Sequence, residues 1–390
     1  MSDSAETKTL VLNPALKEIA FTFLRLGITA FGGPAAHIAM MEEELVRRRQ
    51  WLSHEEFLDL VGAANLIPGP NSTEVAIHVG HKMQGWRGLV TAGVSFIVPA
   101  FLIVWALAWF YVKYGSIPAF QSVLLGIKPV ILAVIAQAIW NLSRTAIKDR
   151  ILGIFCIVSL LFYLFGYNEL LILVIVAISN LVFRLKIPPT QTKIMWLAIP
   201  ATLLIPNEKL LAQVSYSAKV PVENLFLFFI KVGSVLFGSG YVLIAFLQSD
   251  LVHHYQWITN QQLLDAIAIG QFTPGPVFTT ATFIGYLIAG HAGAISATIG
   301  IFLPAFFFVA VSAPLIPTLR KSKWTAPILD GLNVASLSLM AGAGFLLAKD
   351  AISNAFGGSI LVVSLVLLTR YKINSAWLVL VAGLLGLVIY

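Results

Sequence analysis

Charge and sulfur are what this sequence has least of. Asp, Glu, Lys and Arg make up 11% of its 390 residues and hydrophobic residues 58%, where soluble domains average about 25% and about 45–50%. That balance excludes a soluble globular fold. The lone cysteine, Cys156, excludes an internal disulfide and any paired-thiol motif. It lies in an apolar run, where a packed or lipid-facing thiol is expected. Neither HExxH nor GxSxG occurs, so a membrane-embedded protease or reductase lacks its nucleophile, metal or cofactor signature. No enzymatic activity, metal or cofactor is expected. Residues 1–17 are polar and lack the charged-then-apolar order of a cleaved signal, so none is expected.

Long apolar runs, such as 89–111 and 360–368, are abundant. Segments of about 20 such residues span a bilayer, so the fold class is an all-α polytopic membrane protein. The net charge of +7 could point to nucleic acid. In a membrane chain it points instead to cytoplasmic loops, because Arg47, Arg48 and Arg49, and Arg320, Lys321 and Lys323, lie between apolar segments.

The chain repeats itself. ELVRRRQWLS, from Glu44 to Ser53, matches DLVHHYQWIT, from Asp250 to Thr259, at an offset of 206 residues. The same offset aligns Pro68 with Pro274, and an offset of 205 aligns Pro99 with Pro304. Residues 1–15 form a polar N-terminal segment, 16–190 the first repeat, 191–221 a linker and 222–390 the second repeat. Each repeat is expected to hold about five transmembrane helices and one broken helical hairpin.

The breaks organise each half. Pro68-Gly69-Pro70 and Pro274-Gly275-Pro276 each interrupt an apolar stretch. Proline lacks an N–H and biases the residue before it away from helix, while Pro70 suits the first position of a new helix. A short helix over about 54–67, opened by a Ser53–Glu56 capping box, and a second from Pro70 to about Met83 are each too short to span. They read as a re-entrant hairpin whose irregular backbone must face protein or water. The N–H groups of Asn71, Ser72 and Thr73 are expected to point into the gap, as an anion site requires. Paired interrupted helices in corresponding halves point to a transporter's binding site. Phe31-Gly32-Gly33-Pro34 breaks the first apolar helix in the same manner, and its copy is Phe237-Gly238-Ser239-Gly240.

Loop charge sets orientation. Residues 42–53 form a loop with three arginines, whereas its copy has no Lys or Arg; Arg320, Lys321 and Lys323 oppose a segment with one lysine. The two halves thus place opposite loops on the positive-inside face, which argues for an inverted repeat. The side of the N-terminus and dimerisation both stay open, with a homodimer compatible.

Candidate site residues follow. Arg25 and Lys231 are matched cations inside apolar helices, either site residues for an anion or snorkelling side chains. Asn65, Ser72, Thr73, Gln271, Thr273, Thr279 and Thr280 are neutral hydrogen-bond formers beside the breaks, serving as caps, as oxyanion ligands, or as both. Glu74, whose copy is Thr280, is either a charge at a helix start or a proton carrier, since burial disfavours its charged form. His78 shares its face. Asp59 and Asp265 are matched and read as structural; Trp51 and Trp257 read as interface anchors.

These motifs together, Phe31 to Pro34, the stretch to Trp51, Asn65 to Pro70, Gly80 and Pro99-Ala100-Phe101, with their second copies, resemble the chromate ion transporter (CHR) family over about 18–145 and 224–348. The resemblance implies a two-domain member with antiparallel halves. It implies export of chromate from the cytoplasm, coupled to the proton motive force as an antiporter. Sulfate or another oxyanion remains an alternative substrate. An anion channel would share the spans but lack coupling and saturation.

Overall fold

The computed structural model of the chain describes residues 14–115, 117–185, 220–237, 240–313, 322–352 and 355–389, and holds no strand among them. Helix α1 (Leu16–Thr29) buries Ile19, Phe23 and Leu26, spaced along one helical face, and exposes Phe21, Leu24 and Ile28. It stops before Gly32 and Gly33, whose φ of 103° and 82° lie in the region favoured by glycine. Helix α2 (Pro34–Glu42) follows with Pro34 at its start and runs straight into a π-helical turn, Glu43–Arg48. The first part of the expected 42–53 loop is therefore helical. Its arginines reach back to Glu43 and Glu44, which stabilises the turn.

Ser53 and Glu56 form the expected reciprocal cap on α3 (His54–Ala64). Lys82 Nζ donates to Glu56 Oε1 at 2.6 Å, and this bond holds the Glu56 carboxyl below its usual range. After Pro68-Gly69-Pro70 comes α4 (Asn71–Tyr114). Pro70, extended at φ −79° and ψ 93°, caps this helix from just outside its first turn. At Gln84 and Gly85 the chain leaves helical geometry and reverses. Residues 71–83 then lie back against the limb beyond, so closely that a Cβ on Gly80 would strike the Gly88 carbonyl. Helices α5 (Pro118–Ala146), α6 (Arg150–Leu164) and α7 (Glu169–Leu185) complete the half.

The second half repeats the plan. Helix α8 (Val222–Val235) leads through a short turn (Gly240–Val242), α9 (Leu243–Phe246) and a π-helical turn (Leu247–His254) to α10 (Asn260–Phe272). Helix α11 (Thr280–Ser312) reverses at Ala289 and Gly290, and α12 (Thr325–Ala351), α13 (Ala355–Arg370) and α14 (Ser375–Ile389) follow. Gln50 and Gln256, at matched positions, both have φ near +50°. Gly238, Ser239, Arg320, Lys321 and most of the expected linker lie outside the described residues.

The halves are packed through each other. Helix α5 packs on α13 and α14, and its counterpart α12 packs on α6 and α7. A Cβ on Gly126 in α5 would strike the Ala382 carbonyl of α14, and one on Gly331 in α12 would come within 2.8 Å of Ala177 in α7. Helices α4 and α11 meet along their long limbs. Every one of these inter-half contacts is matched by its reciprocal.

Four described segments are long and apolar enough to cross a membrane: Asn71–Tyr114, Pro118–Ala146, Val277–Ser312 and Thr325–Lys349. The chain is a membrane protein. Helices α6, α7, α13 and α14 have 15 to 17 residues. At 1.5 Å per residue they are shorter than a hydrocarbon core of about 30 Å.

Candidate functional site

In each Pro-Gly-Pro break the glycine owns the single N–H, since the prolines have none. Both of these donors cross to the other half. Gly69 N–H donates to the Leu236 carbonyl at 2.7 Å, and Gly275 N–H to the Ala30 carbonyl at 2.8 Å. Ala30 and Leu236 are the matched residues that end α1 and α8, where helix carbonyls lack intrahelical partners. Each break thus satisfies the interrupted helix of the opposite half. The glycines have φ of 142° and 90°. A Cβ on Gly275 would lie 2.8 Å from the Ala100 side chain, and one on Gly69 would lie 3.5 Å from that of Ala305. Ala100 and Ala305 belong to the matched Pro-Ala-Phe motifs of α4 and α11.

Beside the first break lies a buried polar cluster. Ser72, Thr73, Glu74 and His78, all on the first turns of α4, are buried. Among the described residues, Thr73 Oγ1, both carboxyl oxygens of Glu74 and His78 Nε2 have no hydrogen-bond partner. Glu74 folds back over the break, so a side chain at Gly69 would collide with its Oε1. His37 on α2, which the sequence reading did not single out, is also buried; its Nδ1 lies 3.2 Å from Ser72 Oγ. The amides of Thr73 and Glu74 both turn to the Pro70 carbonyl, at 2.7 and 3.0 Å. The Thr73 amide, expected to face the gap, is therefore closed; its hydroxyl is what remains. Asn65 caps α3 and accepts from Asn71 Nδ2 at 2.7 Å, tying the two sides of the break.

The second break is built differently. Gln271, Thr273, Thr279 and Thr280 are all buried, but the three threonine hydroxyls are spent locally. Thr273 donates to the Gly270 carbonyl at 3.2 Å, Thr279 to Pro276 at 2.8 Å and Thr280 to Val277 at 2.8 Å. Leu243 and Ile284 stand where the first half has His37 and His78. Pro276 leads through a short turn, Val277–Thr279, into α11. At these matched positions the titratable side chains, His37, Glu74 and His78, belong to the first half, and Leu243, Thr280 and Ile284 stand in the second.

The matched cations are each engaged by an acid of their own half, again at matched positions. Arg25 lies 3.8 Å from Glu44, and Lys231 donates to Asp250 at 3.0 Å. Their charge is thus largely offset before any ligand arrives. Asp265, read as structural, is paired with a lysine that the sequence reading did not name: Lys128 Nζ on α5 sits 3.2 Å from Asp265 Oδ1 on α10, both side chains 3% exposed. The contact is an ion pair without hydrogen-bond alignment, and Tyr111 donates to the other Asp265 oxygen at 2.9 Å. A lysine inside the apolar run 118–142 is the signal that could have found it. Asp59, its match in the first half, is exposed, and Trp51 is buried with Arg49 over its ring rather than at an outer surface.

A family model described as chromate transporter matches residues 17–183 and 223–387. A chromate transport protein of Cupriavidus metallidurans is 32% identical over 383 residues, covering 96% of this chain and 93% of the relative. A chromate transport protein of Pseudomonas aeruginosa is 29% identical, covering 94% and 91%. An uncharacterised transporter of Methanocaldococcus jannaschii is 32% identical, covering 97% and 95%. No solved structure gives a significant match.

Proposed function

The chain belongs to the chromate transporter family, and on that premise we propose that it exports chromate, or a related tetrahedral oxyanion, across the plasma membrane, driven by the proton motive force. The observation that carries this reading is the first Pro-Gly-Pro break. There a helix start, a buried hydroxyl and a buried carboxyl without hydrogen-bond partners lie together, where the chain is interrupted in both halves. A helix start brings about half a positive charge, and Thr73 offers a donor. Glu74 acts as the switch. Burying an ionised carboxylate without a partner is costly. A dianion about 5 Å from an ionised Glu74 would be repelled by about 7 kcal/mol at an effective dielectric of about 20. Anion affinity therefore depends by orders of magnitude on the Glu74 proton, the neutral carboxyl favouring the bound dianion, which links protonation to anion binding at this site.

The halves are proposed to be inverted, with the α3–α4 and α10–α11 hairpins re-entering from opposite faces. The reciprocal glycine bonds and reciprocal helix packing support a two-fold relation between halves. Arg47, Arg48 and Arg49 against none in the copy support its inverted sense. Alternating access would then be a rearrangement about the breaks, where the two halves meet.

Competition tests this reading. In proteoliposomes, sulfate should inhibit chromate flux far more strongly than nitrate or chloride at equal ionic strength, because the site selects tetrahedral dianions. Nitrate competing as well as sulfate would contradict it.

A further inference from the structure

Glu169 opens α7 and is buried, at 2% exposure. Its Oε1 has no hydrogen-bond partner among the described residues. The fold does not require a carboxyl at this place. Asn168 already caps α7, accepting from the amides of Leu170 and Leu171 at 3.0 and 3.3 Å. Asn374, 206 residues further on, caps α14 by accepting from the Ala376 amide, and Ser375 stands where the first half has Glu169.

Glu169 belongs to the first half, but most of the polar groups around it come from the second. The Ser249 hydroxyl donates to its carboxyl, and Asp250 and Lys231 lie within electrostatic reach. Lys231 is already hydrogen-bonded to Asp250 at 3.0 Å. The Tyr163 hydroxyl, on α6, lies within the same reach and 3.4 Å from Gln248 Oε1. Tyr255 faces Asp250 and Lys231. Helix α12, packed on α6 and α7, turns Asp330 to Lys148 and Lys349 to the Phe345 ring, away from this cluster. Two carboxylates thus meet one ammonium, and Glu169 is the acid left over. A buried carboxylate without a counter-charge is costly, and taking up a proton removes the cost. The ammonium in the cluster disfavours a metal cation, and no group of three or more His, Cys, Asp or Glu side chains among the described residues could hold one. Lys231, 38% exposed at its side chain against 10% for Asp250, marks the way in.

We infer that Glu169 is a second proton-binding carboxyl, held at the seam between the halves and reached past Lys231 and Asp250. Ionised, it leaves the cluster with one surplus negative charge; with a proton on its carboxyl the cluster is neutral. The use of that proton rests on the reading of the chain as proton-driven, in which the Leu247–His254 turn faces away from the cytoplasm and Glu169 takes up protons on the side from which they enter.

Infrared titration of the purified full-length chain in detergent, with no transported anion present, is the test. The difference spectrum between mildly acid and mildly alkaline buffer should contain the C=O stretch of a protonated buried carboxyl that Glu169→Gln removes and Glu74→Gln keeps. Ser249→Ala takes a donor from the ionised form and should raise the midpoint of that band by about one pH unit. Asp250→Asn frees Lys231 and should lower the midpoint by at least as much. These two variants decide the matter if Glu169→Gln fails to fold. A band unchanged in Glu169→Gln overturns the proposal, as does a midpoint that neither neighbouring variant moves. Replacing sodium by choline in the buffer should leave the midpoint in place; a midpoint that sodium lowers by a comparable amount makes the cluster a sodium site and also overturns it. The band needs no substrate, so it stands even if the transport reading fails, and proton-driven chromate flux in a chain without the band overturns this site alone.

Discussion

Thr73 and Thr279 occupy matched positions and have opposite hydrogen-bonding states. The Thr279 hydroxyl is closed on the Pro276 carbonyl, while that of Thr73 is buried with no partner. Thr73→Val should therefore weaken anion binding by about 1 kcal/mol, or roughly five-fold, with little loss of stability. Thr279→Val should leave affinity within two-fold and lower the melting temperature instead. Equilibrium binding and thermal melts on the two variants check this. The sequence placed both threonines beside a break, and its spacing picked out Glu74 and His78. It could not distinguish the half whose threonine hydroxyl is open from the half whose hydroxyl is closed, because a hydroxyl's partner depends on the rotamer and the backbone turn. Nor could it show that Arg25 faces Glu44, since only the folded π-helical turn brings them together.

At the scale of the element, the breaks are legible because proline and glycine act locally, and the capping box at Ser53 for the same reason. The reversal at Gly85 was legible as a helix boundary near Met83. The tie between halves was not, since Gly69 N–H and the Leu236 carbonyl are remote in sequence. Gly69→Ala should be severe: it combines a φ of 142° with a collision with Glu74, and backbone strain of this kind costs about 1–3 kcal/mol before the collision is counted. A matched melt of Gly85→Ala, where a Cβ meets nothing within 4 Å, isolates the strain, and Gly69→Ala should fall well below it. The buried pair between α5 and α10 gives a second element-scale expectation. Lys128→Met should destabilise by about 3–5 kcal/mol because it strands Asp265, while Lys128→Met/Asp265→Leu should recover most of that loss. Chemical denaturation of the two variants reads the difference.

At the scale of the whole molecule, two halves share a plan, exchange their glycine bonds and differ in the polar residues beside their breaks. The repeat is plain in the sequence at offsets of 206 and 205, but the interlocking of α5 with α13 and α14, and of α12 with α6 and α7, is tertiary information alone. Gln50 and Gln256 are both exposed at matched turns. With cysteine at each in turn on a background lacking Cys156, a membrane-impermeant thiol reagent added outside intact cells should label position 256 and spare position 50. Equal labelling would sink the inverted arrangement.

The measurement that bears most directly on the account is chromate accumulation in proteoliposomes carrying the parent chain or Glu74→Gln, with and without an imposed proton motive force. The account predicts that the parent chain accumulates chromate only when the force is applied. It predicts that Glu74→Gln loses accumulation at least ten-fold while still binding chromate. Accumulation by Glu74→Gln equal to that of the parent chain would contradict it, and Glu74 would then be no more than a buried charge at a helix start.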